Sequence, residues 1–170
     1  TYLVPETLLF IPLFQTFATI QGATGVPLIN NWWALTIIYP TLTVPFCTWL
    51  LMGYFMSIPI ELEESAMVDG CSRLGVLFRI VLPLTIPALA VVAFFSFTLS
   101  WNEYIYASVM VADVSAKTIP TGIPNFIVED VFFWGPMMAS TFISAIPPLV
   151  VYFVFQRFLI TGLTMGAVKG

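Results

Sequence analysis

Six of the fourteen charged side chains in this 170-residue chain fall between Glu61 and Arg79, acids first (Glu61, Glu63, Glu64, Asp69) and bases after (Arg73, Arg79). A stretch of this kind suits charge-assisted contact with another protein. It does not suit bond-making, which needs convergent titratable groups. The chain has no histidine, no pair of carboxylates inside an apolar run, and no nucleophile with an evident base. A membrane-embedded enzyme using Glu103 or a cysteine is therefore the distant alternative. Cys47 and Cys71 have no metal-ligand spacing and are read as free thiols, so no metal site is expected. The five bases are too sparse for a nucleic-acid surface.

The elements that carry this charged segment are membrane helices. At 59% hydrophobic and 8% charged, the composition is not that of a water-soluble domain. No charged side chain stands between Glu6 and Glu61, from Ile80 to Asn102, or from Val131 to Gln156. A crossing takes roughly 20 apolar residues, so these runs predict four spans. All should be helical, because backbone groups in lipid must be satisfied internally. Gln21 to Asn31, rich in Gly, Asn and Pro, predicts the turn between a first helix ending near Ile20 and a second from about Trp32 to Met56. Pro12, Pro40, Pro45, Pro87, Pro147 and Pro148 lie inside spans, serving either packing or hinges.

Orientation follows from the bases. With Arg73 and Arg79 inside, Arg157 and Lys169 also fall inside and only Lys117 lies outside, the arrangement the positive-inside rule favours. Trp32, Trp33, Trp101 and Trp134 then stand at outer span ends, as membrane anchors first and substrate contacts second. Asn102 and Glu103 close the third span near the outer surface. Glu103 is either a solvated or helix-bonded group or part of a pathway. No secretory signal is visible and the first residues resemble mid-span sequence, so the chain is expected to be the C-terminal portion of a longer protein.

Locally, Ser57 and Pro59 begin a short helix whose first turn carries Glu61, Glu63 and Glu64, and Gly70 should end it. Ser65, Ala66 and Gly70 are small and close to one face, permitting close approach of a partner. Ser72 can cap a second piece carrying Arg73 and Arg79 back to the membrane at Pro83. A plain cytoplasmic loop is the alternative to a docking knob.

From Glu64 the residues are Glu, Ser, Ala, three others, Gly70, nine others, Ile80, one other, Leu82 and Pro83. This closely resembles the EAA loop, E-A-A-x3-G-x9-I-x-L-P, of permease subunits of bacterial ATP-binding-cassette (ABC) importers. Ser65 in place of the usual alanine is the one departure. "PFCTWLLMGYF", "SWNEYIYA" and "QRFLITGLTMGAVKG" look like the carbohydrate branch, the permeases similar to the smaller maltose-permease subunit.

The resemblance implies an all-α membrane protein, a polytopic helical bundle of the ABC importer permease (MetI-like) type. Residues 1–170 would form the transmembrane domain without one or two N-terminal helices, 57–83 the cytoplasmic EAA coupling loop and 156–170 a cytoplasmic tail. The location implied is the bacterial cytoplasmic (inner) membrane. Glu64, Ser65, Ala66, Asp69, Gly70, Ile80, Leu82 and Pro83 would dock on an ATPase. Gly162, Gly166 and Lys169 would make a C-terminal ATPase contact, with a frayed terminus as the alternative. Asn102 and Glu103 are the pathway candidates. The resemblance further implies a subunit that is not itself an enzyme and binds no cofactor, with ATP and Mg used by a dimer of partner ATPases. A second permease subunit and an extracytoplasmic sugar-binding protein, meeting outer loops that include Val111 to Asp130, complete the assembly. The implied cargo is a disaccharide or oligosaccharide such as trehalose or maltose. A permease for glycerol phosphate, an amino acid or a peptide is the alternative.

Overall fold

The computed structural model describes residues 8–167, with side chains to Phe158, and the fold is helical. α1 spans Phe10–Thr24, α2 Trp32–Phe55 and α3 Ile60–Val68. α4 (Arg73–Val76) runs through a π-helical turn, Leu77–Val81, into α5 (Leu82–Trp101). Then follow α6 (Ile105–Met110), α7 (Ile119–Gly122), a hairpin of β1 (Ile127–Val128) and β2 (Val131–Phe132), and α8 (Trp134–Ala167).

Among the described residues, three helices are long and apolar enough to cross a bilayer: Trp32–Phe55, Arg73–Trp101 and Trp134–Phe158. The first of the four expected spans is represented by α1, which has 15 residues and a length of about 22 Å, short of a ~30 Å hydrocarbon core. Large apolar side chains such as Trp49 and Phe142 are exposed, as lipid-facing surface requires. The third span starts earlier than its uncharged run suggests, because Arg73 and Arg79 are already helical.

The chain divides into two compact units. One contains the described chain up to Pro45 and Thr98–Leu149. Its core joins Phe17 of α1 and Ala34, Leu35 and Ile38 of α2 to Tyr106, Ala107 and Met110 of α6. The α1–α2 connection is fixed by side chains that replace missing backbone partners. Gln21 Oε1 accepts from the amides of Leu28 (2.8 Å) and Ile29 (2.7 Å). Gly25, at φ 71, caps α1. Asn30, also left-handed at φ 57, donates its amide to the Met110 carbonyl (2.9 Å), and its Oδ1 accepts from the amides of Ala112 (2.8 Å) and Asp113 (3.2 Å). The hairpin pairs Ile127 with Phe132 and Val128 with Val131. Glu129 and Asp130, both at positive φ, form the tight turn whose twist matches that of the strands.

The other unit contains Phe46–Phe97 and the chain from Val150. Within it, α2 and α5 are tied by Cys47 Sγ and Ser96 Oγ at 2.9 Å and by the Tyr54 hydroxyl, which donates to the Leu84 carbonyl at 3.1 Å. Phe46 packs edge-on to Phe95 at 5.6 Å between centroids. Both cysteines are free thiols, as their spacing predicts.

Candidate functional site

The charged loop of the second unit is held in shape by its own backbone. Gly70 sits at φ 87 just past α3. Its amide bonds the Met67 carbonyl (3.1 Å) and the next amide, of Cys71, bonds Ala66 (3.0 Å). These two bonds make a Schellman termination, and Cys71 packs on Ala66 as that motif favours. Ser72 caps α4 by accepting from the Gly75 amide at 3.2 Å. Ser57 does not cap α3. Its hydroxyl donates to the Tyr54 carbonyl at 2.6 Å, while Pro59 occupies the cap position. The chain leaving α2 is still turning at Ser57, so that carbonyl is within its reach.

The docking candidates separate into two groups. Ala66 is buried against Val76 and Val81 of the return helix, with Ile80 packed alongside. Its small size lets α3 lie on the π turn, and it is therefore not available to a partner. Glu64, Ser65, Asp69 and Gly70 are exposed, as are Leu82 and Pro83. Ser65 Oγ donates to the Leu62 carbonyl at 3.2 Å, a bond within α3 that the alanine of the motif could not make. Val68, 87% exposed, continues the outward face. Glu63, Glu64, Arg73 and the apolar Ile60 and Met67 line an open recess of about 570 Å³. An exposed acidic helix with apolar side chains beside it is equipped for a charge-assisted, partly apolar protein contact. Gly162 and Gly166 fall in the last turns of α8, and Lys169 lies outside the described residues.

The second candidate, Asn102–Glu103, lies in the other unit at a break. α5 stops at Trp101 and α6 starts at Ile105. Trp101 Nε1 donates to the Ser144 carbonyl at 3.0 Å. Ser144 is ten residues, about 15 Å, along α8 from Trp134. Independently, Glu103 is close enough to act electrostatically on the Tyr39 hydroxyl, and Tyr39 is seven residues, about 10 Å, along α2 from Trp32. The two do not meet hydrogen-bond geometry, which leaves Tyr39 Oη enclosed and unpartnered among the described residues. The break is therefore packed beside α8 at Ser144. At its far end α6 meets the α1–α2 connection, where the Met110 carbonyl accepts from the Asn30 amide.

At the break every group is accounted for differently. Glu103 Oε1 accepts from the Tyr106 amide (2.8 Å) and Oε2 from the Ala107 amide (3.0 Å), so its carboxylate closes the first turn of α6. Asn102 is exposed, and its Nδ2 donates to the Thr98 carbonyl at 2.9 Å. Trp101 directs its N–H into the bundle rather than to a membrane surface. Its acceptor belongs to the residue four before Pro148, which has no amide to offer it. Ser144 was absent from the sequence candidates, although Pro148 marks that orphaned carbonyl in the sequence itself.

The chain matches, over residues 1–165, the family described as binding-protein-dependent transport system inner membrane component. It is 36% identical over 169 residues to the inner membrane ABC transporter permease protein YcjP of Escherichia coli, covering 99% of this chain and 58% of that protein. It is 40% identical over 143 residues to the trehalose/maltose transport system permease protein MalG of Thermococcus litoralis, covering 84% of this chain and 51% of the relative. With the diacetylchitobiose uptake system permease protein DasC of Streptomyces coelicolor it shares 39% over 145 residues, 84% of this chain and 52% of the relative. The chain thus spans between half and three-fifths of the length of these relatives. A polytopic helical chain with apolar spans, matched along nearly its whole length, belongs to the family of binding-protein-dependent transport system inner membrane components.

Proposed function

We propose that this chain is half of the membrane passage of an ATP-driven sugar importer and that α3, through Glu64 and the exposed residues beside it, is the part an ATPase grips. The exposed end of α3, rigidly terminated at Gly70, is the observation that carries this reading. An acid on a short, stiff, cytoplasmic helix can pair with a base across an interface, and nucleotide-driven motion of the partner is then passed to α5 through the continuous α4–π–α5 segment. The Ala66–Val76–Val81 cluster packs α3 onto the return helix, so that loop and span move together. In this reading the loop faces the cytoplasm of a bacterium and the tryptophan-bearing ends face outward. ATP and Mg are handled by a partner ATPase dimer, and this chain binds no cofactor. A second permease subunit completes the passage, and an extracytoplasmic binding protein delivers cargo to the outer segments between Val111 and Asp130. Gly162, Gly166 and Lys169 are proposed to add a second ATPase contact.

The relatives' printed cargoes, trehalose/maltose for one and diacetylchitobiose for another, support a neutral disaccharide or oligosaccharide as cargo. Cross-linking tests the coupling role. In a background with Cys47 and Cys71 replaced by serine, a Val68→Cys variant should cross-link to the co-expressed ATPase, and the yield should change with nucleotide. Absence of cross-linking in every nucleotide state, from Val68→Cys and Glu64→Cys alike, overturns it.

A further inference from the structure

The break between α5 and α6 opens onto a recess of about 480 Å³ in the same unit, lined by Asn102, Thr141 and Ser144 together with the apolar Ile123, Pro148 and Leu149. We propose that this recess is a binding site for a neutral, polyhydroxylated ligand, so that this subunit itself contacts sugar during passage. The inference rests on the transport reading above and adds to it a site and a ligand chemistry.

Four observations carry it. First, the end of α5 is tied to α8 through Trp101 and Ser144, and Asn102 at the break and Ser144 both line this recess. Second, the polar groups that reach the recess retain hydrogen-bonding capacity. Asn102 uses Nδ2 on Thr98, and its Oδ1 has no partner among the described residues. Thr141 donates to the Met137 carbonyl at 2.9 Å and keeps its oxygen as an acceptor. Ser144 Oγ makes no hydrogen bond among the described residues, whereas Thr16, Thr19, Thr36, Thr43 and Thr141 all bond back to the preceding helical turn. Third, no lining residue is charged, and Glu103, next in sequence to Asn102, is occupied by two amides of α6. A phosphate or a zwitterion would find no counter-charge there, which sets a neutral sugar apart from glycerol phosphate or an amino acid. Fourth, the walls alternate hydroxyl or amide groups with apolar surface. A pyranose has the matching character, with a C–H face and an equatorial ring of hydroxyls.

The test uses the whole assembly with its binding protein and ATPase in nanodiscs. The probe is whichever of maltose, trehalose and diacetylchitobiose the wild-type assembly takes up in proteoliposomes. A Ser144→Cys variant, with Cys47 and Cys71 replaced by serine, is labelled with a small methanethiosulfonate. Saturating sugar is expected to slow labelling at least fivefold, and glycerol 3-phosphate is expected to leave it unchanged. If Ser144→Cys does not assemble, Thr141→Cys serves as the labelling position. Labelling equally fast with and without a sugar that is transported overturns the site while leaving the transport reading standing. Equal protection by glycerol 3-phosphate overturns the ligand class. Uptake of none of the three sugars overturns the sugar reading and this site together.

Discussion

The indole N–H of Trp101 lies 3.0 Å from the carbonyl oxygen of Ser144, the oxygen that Pro148 deprives of its helical partner. In water such a carbonyl would be solvated, but inside an apolar bundle it must find a donor or remain unsatisfied. The tie therefore supplies the donor that Pro148 withholds within the continuous helix α8 and joins it to the end of α5.

Trp101→Phe keeps the ring and removes the donor, at an expected cost of about 1 kcal/mol. Pro148→Ala returns an amide to Ser144, so the same Trp101→Phe change made in that background should cost close to nothing. Thermal unfolding of the four variants in one detergent measures the coupling. A Trp101→Phe effect of equal size in both backgrounds would show that the ring, not the N–H, carries the contribution.

Gly70→Ala should destabilise the charged loop by about 1–2 kcal/mol, because φ 87 is a left-handed geometry that an L side chain resists. A Cβ there meets no atom within 4 Å, so the penalty is purely conformational. Gly70→Asn is expected to recover part of it. Co-purification of the ATPase with the permease reports the difference.

Glu64→Ala leaves the fold of this chain nearly untouched, since the side chain is exposed, with an expected change within about 0.5 kcal/mol. On the proposed contact with an ATPase, it should remove about 2–5 kcal/mol of docking energy where that contact is desolvated. Titration of ATPase binding against Glu64→Ala and Glu64→Gln checks it, with wild-type affinity in both as the contrary result.

Glu103→Gln retains one of the two acceptors that hold the start of α6, because an amide nitrogen cannot accept. Faster hydrogen exchange at Tyr106 and Ala107 is expected, with intact membrane insertion. Unchanged exchange at both amides would assign the cap elsewhere.

Asp113 accepts from the amide and hydroxyl of Ser115, which holds its carboxyl below the ordinary carboxylate range. A depressed folded value means the turn is supported above the unfolded pKa, and the support is lost as pH falls through the folded one. Proteolysis at Ala112–Ala116 should stay constant from pH 6 to 8 and rise only on acidification below about 4. Asp113→Asn is expected to remove that acid dependence.

The spans, the loop and its glycine stop were legible in the chain because each depends on local chemistry. Uncharged runs bounded by charge predict crossings, and Gly70 and Ser72 supply a stop and a cap that neighbouring residues alone determine. The docking residues were less legible. Ala66 reads as an open small-residue surface until α4 and the π turn fold back and cover it. Ser57 reads as a cap until the geometry of the α2 exit gives its hydroxyl a nearer carbonyl.

Sequence alone determined that this is a membrane protein with a charged knob between apolar crossings, since solvent preference is a property of composition and run length. Only the tertiary structure decided that Trp101 faces α8 and that the return helix covers Ala66. The carbonyl that Trp101 meets belongs to a residue 43 positions later, and no local pattern records that pairing.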